Sequence, residues 1–342
     1  MGLNYRAWQF FFIHRNQPLL TRMPLDQEIS IAREHHFGEM LASSLANRAS
    51  LLLTQNIPLA LADATEAVQI ARQSGFLDWT YVTALNLTNL TTTQLFSGDW
   101  NGCLETSISR DLPEEGDPPI AASYLDISAA VIHEARGDDL SIPAVWRYAE
   151  ERYTFIDYDQ VWPAFCRAVA AWFDGDYPGL VAHGERAIDM VQAMSGFQDD
   201  FGLVWSTIIR WSIEGAQYDA ARRWIGRVDS ARTHQVEPVL RGLLPWLRGT
   251  LNARDPEATA LPSEIEADLS LAITNLPAAG VVPQRALAQA ELGCLLLRQG
   301  KPDAAREPLA AAIDTFRQLR AQRWLDDLHG VAPGIVADLA PA

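Results

Sequence analysis

The sequence predicts an all-α fold: a right-handed superhelical solenoid of antiparallel helix pairs with a period of about 40 residues. Three observations predict it. Apolar residues recur at three- and four-residue spacings, a turn of similar composition returns at a near-constant interval, and no alternating β-branched run closed by Asn-Gly or Asp-Gly occurs.

The clearest pair runs from Ala288 to Phe316, AQAELGCLLLRQGKPDAAREPLAAAIDTF. Ala288, Leu292, Leu295 and Leu296 share one helix face, and Ala305, Leu309, Ala312 and Phe316 share another, leaving Arg306, Glu307, Asp314 and Arg317 for solvent. Between the stripes Gly300 supplies the backbone that ends a helix, and Pro302 suits the first turn of the next. Gly293 and Ala305 are small, so the two axes are expected to approach closely.

The same punctuation appears along the chain. Turns at Gln55, Gly98, Gly137, Gly175, Gly215 and Gly300 are separated by 43, 39, 38, 40 and 85 residues, the last interval holding two units with one degenerate copy between. Each unit buries its apolar face only by stacking on the next. SGDWNG at 97–102, DGDYPG at 174–179 and EGAQYD at 214–219 each place an aromatic shortly after the glycine, to cover the hairpin end.

Other stretches take their roles from this frame. The amino-terminal Trp8, Phe10, Phe11 and Phe12 form a candidate capping or self-association patch. His35 and His36 close the helix ending IAREHH, where imidazole favours the negative end of the dipole. Extended loops are expected at 111–119, DLPEEGDPP, and at 253–262, ARDPEATALP, as breaks in register between stacked hairpins. One array of about eight helix pairs, the first and last atypical, is expected over 1–328, with a tail at 329–342.

Charge and motifs narrow the function. The chain carries 43 acids against 27 bases, a net charge of −16, a field that repels a phosphate backbone, so direct nucleic-acid binding is not expected. Lys301 is the sole lysine and Pro302 follows it, which rules out a G-x-x-x-x-G-K-[ST] phosphate loop. His133-Glu134 begins like a helical zinc motif, but Gly137 stands where the second histidine belongs, and a packed His133 is expected instead. Asp138-Asp139 and Asp199-Asp200 are expected to cap helix starts. Cys103, Cys166 and Cys294 lie far apart, with no C-x-x-C pair, and read as buried thiols of a reducing compartment. No G-x-S-x-G elbow is present. No catalytic residue, metal or cofactor is therefore expected. The amino-terminal apolar stretch is too short to span a bilayer and lacks a cleavage-like site, so the expected compartment is the cytoplasm, without membrane contact. Asn86-Leu87-Thr88 and Asn89-Leu90-Thr91 match the glycosylation acceptor but fall within a helix.

Tryptophan is the informative excess. Of eleven, seven lie between Trp146 and Trp246. Aligning each pair on its turn places Thr88 and Thr92, Ile127 and Glu134, Phe165 and Trp172, and Trp205 and Ile209 on the inner face of first helices. Such a face suits an extended peptide or a small apolar ligand, while the competing reading is that the indoles fill junctions between hairpins.

The stretch LGCLLLRQGKPDAAREPLAAAIDTFRQLRAQRWLDDL resembles the last repeat of the helical-repeat region in LuxR/MalT-like ATP-binding transcriptional regulators. The elements that carry the likeness are Gly300, Ala305 to Leu309, Asp314 to Phe316 and Trp324. IAREHHFGEMLASSLANRASLLL and EAVQIARQSG are similar to its internal repeats and to tetratricopeptide proteins generally. The resemblance implies signal reception: binding a protein partner or an effector and passing the change to attached modules. In such regulators an ATPase precedes the repeats and a DNA-binding module follows them, and these 342 residues contain neither. The expected function is thus non-enzymatic, either protein–protein interaction or effector sensing in bacterial regulation. The alternatives are a small-molecule sensor with an enclosed pocket, or an enzyme built on the same scaffold.

Overall fold

The computed structural model describes residues 18–73, 81–108, 120–138, 161–195, 201–231 and 238–333. Among them there are helices and turns and no strand. The helices are α1 (Pro18–Glu34), α2 (Gly38–Leu52), α3 (Ile57–Gln73), α4 (Tyr81–Ser97), α5 (Trp100–Ile108), α6 (Ile120–Arg136), α7 (Val161–Phe173) and α8 (Tyr177–Ser195). They continue as α9 (Phe201–Glu214), α10 (Tyr218–Asp229), α11 (Pro238–Arg254), α12 (Pro262–Ala279), α13 (Pro283–Arg298), α14 (Pro302–Leu319) and α15 (Gln322–Val331). Trp8, Phe10, Phe11 and Phe12, the stretch 111–119, Trp146, Asp139 and the Asp199-Asp200 pair lie outside the described residues.

Consecutive helices pack side by side. The pairs α2–α3, α4–α5, α7–α8, α9–α10, α11–α12 and α13–α14 are hairpins, and the second helix of one packs on the first of the next at α3–α4, α8–α9, α10–α11 and α12–α13. Gly98, Gly137, Gly175 and Gly300 take positive φ at the turns, as the sequence indicated. Asp99 and Asp176 accept backbone N–H bonds from Gly102 (3.1 Å) and Gly179 (2.9 Å), so these turns also cap α5 and α8. Trp100 covers its hairpin end, 1% exposed, with Nε1 donating to the Leu95 carbonyl at 3.1 Å. The stripes of the 288–316 hairpin face each other, and a Cβ on Gly293 would overlap Leu309. The loop at 253–262 differs from expectation. It is the turn of the degenerate pair α11–α12, where Pro262 opens α12 and Glu264 accepts the Leu261 N–H at 2.8 Å. The last described helix, α15, runs to Val331.

A second set of contacts joins distant parts of the chain. The Val239 N–H donates to the Thr54 carbonyl and the Val282 N–H to the Phe96 carbonyl, each at 2.9 Å. Arg136 Nε donates to the Leu319 carbonyl, 183 residues away. Three turns of the first half thus meet, in the same order, the start of α11, the α12–α13 turn and the α14–α15 turn. α13 accordingly packs on α4, and α15 on α6. One apolar cluster runs from Leu53 to Ala332 through both halves, with smaller clusters near the amino-terminal helices. Trp205, Trp211 and Trp224 are wholly buried in it.

Candidate functional site

Where the two halves meet, α6, α9 and α15 bring charged groups into the interior. Glu134, in the last turn of α6, is 4% exposed. It accepts from Arg210 Nη2 of α9 at 2.8 Å and from Arg323 Nη1 of α15, across 76 and 189 residues. Glu214, one turn after Arg210, accepts from Arg210 Nη1 at 3.0 Å and from Arg323 Nη2 at 3.4 Å. Two guanidinium groups and two carboxylates therefore balance, and the pairing matters most for Arg210 and Glu134, which are the buried members.

Aromatic rings surround this cluster. The Arg210 guanidinium lies 5.6 Å from the Trp211 ring and 5.7 Å from Trp324, and that of Arg323 lies 5.5 Å from Trp172. Trp172 stacks on Trp211 at 5.5 Å, their planes 6° apart. Burial works against charge on Arg210, but Glu134 and Glu214 outweigh it and hold the guanidinium above its ordinary range. Burial likewise raises the Glu214 carboxyl, opposed by Arg210 and Arg323 and reinforced by Glu134.

A recess of about 470 Å³ opens beside the cluster, within the ~300–1,000 Å³ common for small-molecule sites. Trp172 and Tyr177 form one wall, Glu214 and Arg254 reach it from α9 and α11, and α13 with α15 supplies the opposite wall, including Leu287, Glu291, Cys294 and Asp327. Arg254 pairs with Glu291. The Cys294 thiol is pushed up to about 11, by burial and then by Glu291, so it stays protonated at neutral pH.

The residues aligned on the inner helix faces fall as follows. Ile127, Phe165, Trp205 and Ile209 are wholly buried, Thr88 and Thr92 nearly so, and Glu134 belongs to the charge cluster. Trp205 donates its Nε1 hydrogen to the Trp224 carbonyl at 3.1 Å. Trp172 is half-buried and lines the recess. Arg323 brings Glu134 and Trp172 together, and the structure adds Arg210, Glu214, Arg254, Glu291, Arg323 and Trp324, which the sequence reading did not select. One signal was present: Arg210 and Glu214 stand four apart in FGLVWSTIIRWSIE, an otherwise apolar helix.

Cys103 and Cys166 are buried, Cys294 is partly so, and all three are free thiols. His133 Nδ1 lies 2.8 Å from Asp138 Oδ2 at the end of α6, so Asp138 meets the histidine that precedes it. Asn86 and Asn89 are 0% and 2% exposed, beyond reach of a glycosylating enzyme in this fold. Among the described residues no three His, Cys, Asp or Glu side chains gather as a metal site, and no helix is long and apolar enough to cross a membrane. No family model matches this chain, and no curated protein matches it.

Proposed function

We propose that the chain is a superhelical array of helix pairs that receives a small-molecule effector in the recess between α7–α9 and α13–α15. The observation that carries this reading is the recess itself: a ligand-sized hollow with aromatic and ionised walls, built on the cluster that ties α6, α9 and α15 together. A molecule seated there touches helices far apart in the chain, α7 to α9 on one side and α13 with α15 on the other. The resemblance of the 292–328 stretch to the repeat region of LuxR/MalT-like regulators agrees with such a role. A small molecule is favoured over an extended peptide because the aligned inner-face residues other than Trp172 are buried. Binding is favoured over catalysis because Glu214 and Glu291 are held in ion pairs with Arg323 and Arg254, and burial keeps the one thiol protonated.

The test uses the full chain purified from its native lysate without denaturation. Native mass spectrometry is expected to show a small-molecule adduct, and Ala290→Trp, which places an indole in the recess, to remove it while the circular dichroism spectrum stays unchanged. An adduct that survives Ala290→Trp, or a stoichiometric protein partner in its place, overturns the reading.

A further inference from the structure

The recess is balanced in charge and open along its aromatic wall. Its described lining carries Arg254, Arg298 and Arg323 against Glu214, Glu291 and Asp327, equal numbers of each sign. Arg254 is paired with Glu291, and Arg323 with Glu134 and Glu214. Arg298 and Asp327 are exposed, so water already solvates them. The aromatic side chains are less fully used. Trp172 is half-buried and Tyr177 is 38% exposed, their rings lie 5.8 Å apart, and both line the recess. Neighbours hold both rings in place. Trp211 stacks on Trp172, and Tyr177 lies against Gly215, where an added Cβ would come within 2.7 Å of the phenol ring.

Taking the recess as the ligand site proposed above, we infer that its ligand is an uncharged aromatic compound, seated against the open parts of Trp172 and Tyr177. The balance of charge argues for a neutral molecule. A charged ligand gains a partner by separating one of the ion pairs, which strands the group left behind, or by joining Arg298 or Asp327 in water, where a salt bridge contributes little. The lining argues for an aromatic one. With the ionised pairs engaged on each other, its uncharged polar side-chain groups are the Tyr177 hydroxyl, the Cys294 thiol and the indole N–H groups of Trp172 and Trp324. These are too few for the many hydroxyls of a sugar. A flat ring meets the two fixed rings in the offset or edge-to-face arrangements that aromatic pairs favour. Because both rings are already held by their neighbours, binding requires little further ordering.

The test is calorimetric titration of the intact chain with indole, p-cresol and coumarin, and with indole-3-acetate, tryptamine, cyclohexanol and glucose. At least one of the first three is expected to bind, about tenfold or more tighter than any of the other four. Tyr177→Leu is expected to weaken that ligand about tenfold, and Tyr177→Phe, which keeps the ring, to leave its affinity unchanged. Tyr177 is partly exposed, so the melting temperatures of both variants should match the wild type and exclude unfolding as the cause. Binding by none of the three aromatics, equal binding of a charged, aliphatic or sugar compound, or undiminished affinity in Tyr177→Leu overturns the assignment. The two proposals fail separately. A co-purifying ligand that is charged or not aromatic, and that Ala290→Trp displaces, keeps the recess and discards the uncharged aromatic. One that Ala290→Trp leaves in place discards the recess.

Discussion

Glu28, on α1, is 1% exposed, and its Oε2 has no hydrogen-bond partner. Burial raises its pKa, and the Ser44 hydroxyl offsets this only in part. Its folded-state value therefore lies above the unfolded one, near 4.3. Such a group contributes stability in full below the unfolded value, and that contribution is lost as pH rises through the folded one. Glu28→Gln should accordingly melt with the wild type below about pH 4 and above it at pH 7. Melting curves that coincide at every pH would show that the buried charge costs nothing. The same scale explains what the sequence left hidden in the site. Helical spacing placed Trp205 and Trp172 on inner faces, but spacing within one hairpin does not say what lies opposite. Trp205 meets Trp224 from the next helix, whereas Trp172 meets Arg323 from a segment far along the chain. The first contact is local and the second is not, so only the second has an open side.

Turns were the most legible elements, because glycine at a positive φ and a short polar run after it are local properties. Four of the predicted turn glycines take that conformation, whereas at 215 it falls one residue later, on Ala216, with φ of 57°. The 253–262 stretch was expected as a loop between hairpins and not as the turn of one, because its closing chemistry rests on Pro262 and Glu264 and not on a glycine. Two glycines give opposite expectations. Gly226, within α10, has open space where a Cβ would stand, so Gly226→Ala should stabilise by about 0.5–1 kcal/mol through the helix alone. Gly280 follows α12 with φ of 76°, and a Cβ there would overlap Pro58 at the start of α3. Gly280→Ala should destabilise by about 1–2 kcal/mol or more, since left-handed strain and a clash add. Urea denaturation of both variants checks the pair, and equal effects would show that the α12–α13 turn does not bear on α3.

At the scale of the whole molecule, periodicity revealed that helix pairs follow one another and was silent about how the halves meet. That contact includes backbone and charged groups separated by more than half the chain, such as Arg136 with Leu319 and Glu134 with Arg323, which no window of the sequence brings together. Glu134 tests it. Glu134→Gln removes the carboxylate shared by Arg210 and Arg323 and should cost about 3–5 kcal/mol, the range for breaking a buried pair. Glu66→Gln breaks only the exposed bridge to Arg33 and should cost about 0–1 kcal/mol. Similar losses for the two would show the central cluster to be dispensable. The contact between Arg136 and Leu319, 183 residues apart, also sets a clock. On a ribosome adding about 5–20 residues per second, the apolar surfaces of the first half wait roughly ten to forty seconds for the helices that cover them. During nascent-chain synthesis this interval leaves the half-built array open to chaperones and to aggregation, and slowing elongation would lengthen that exposure.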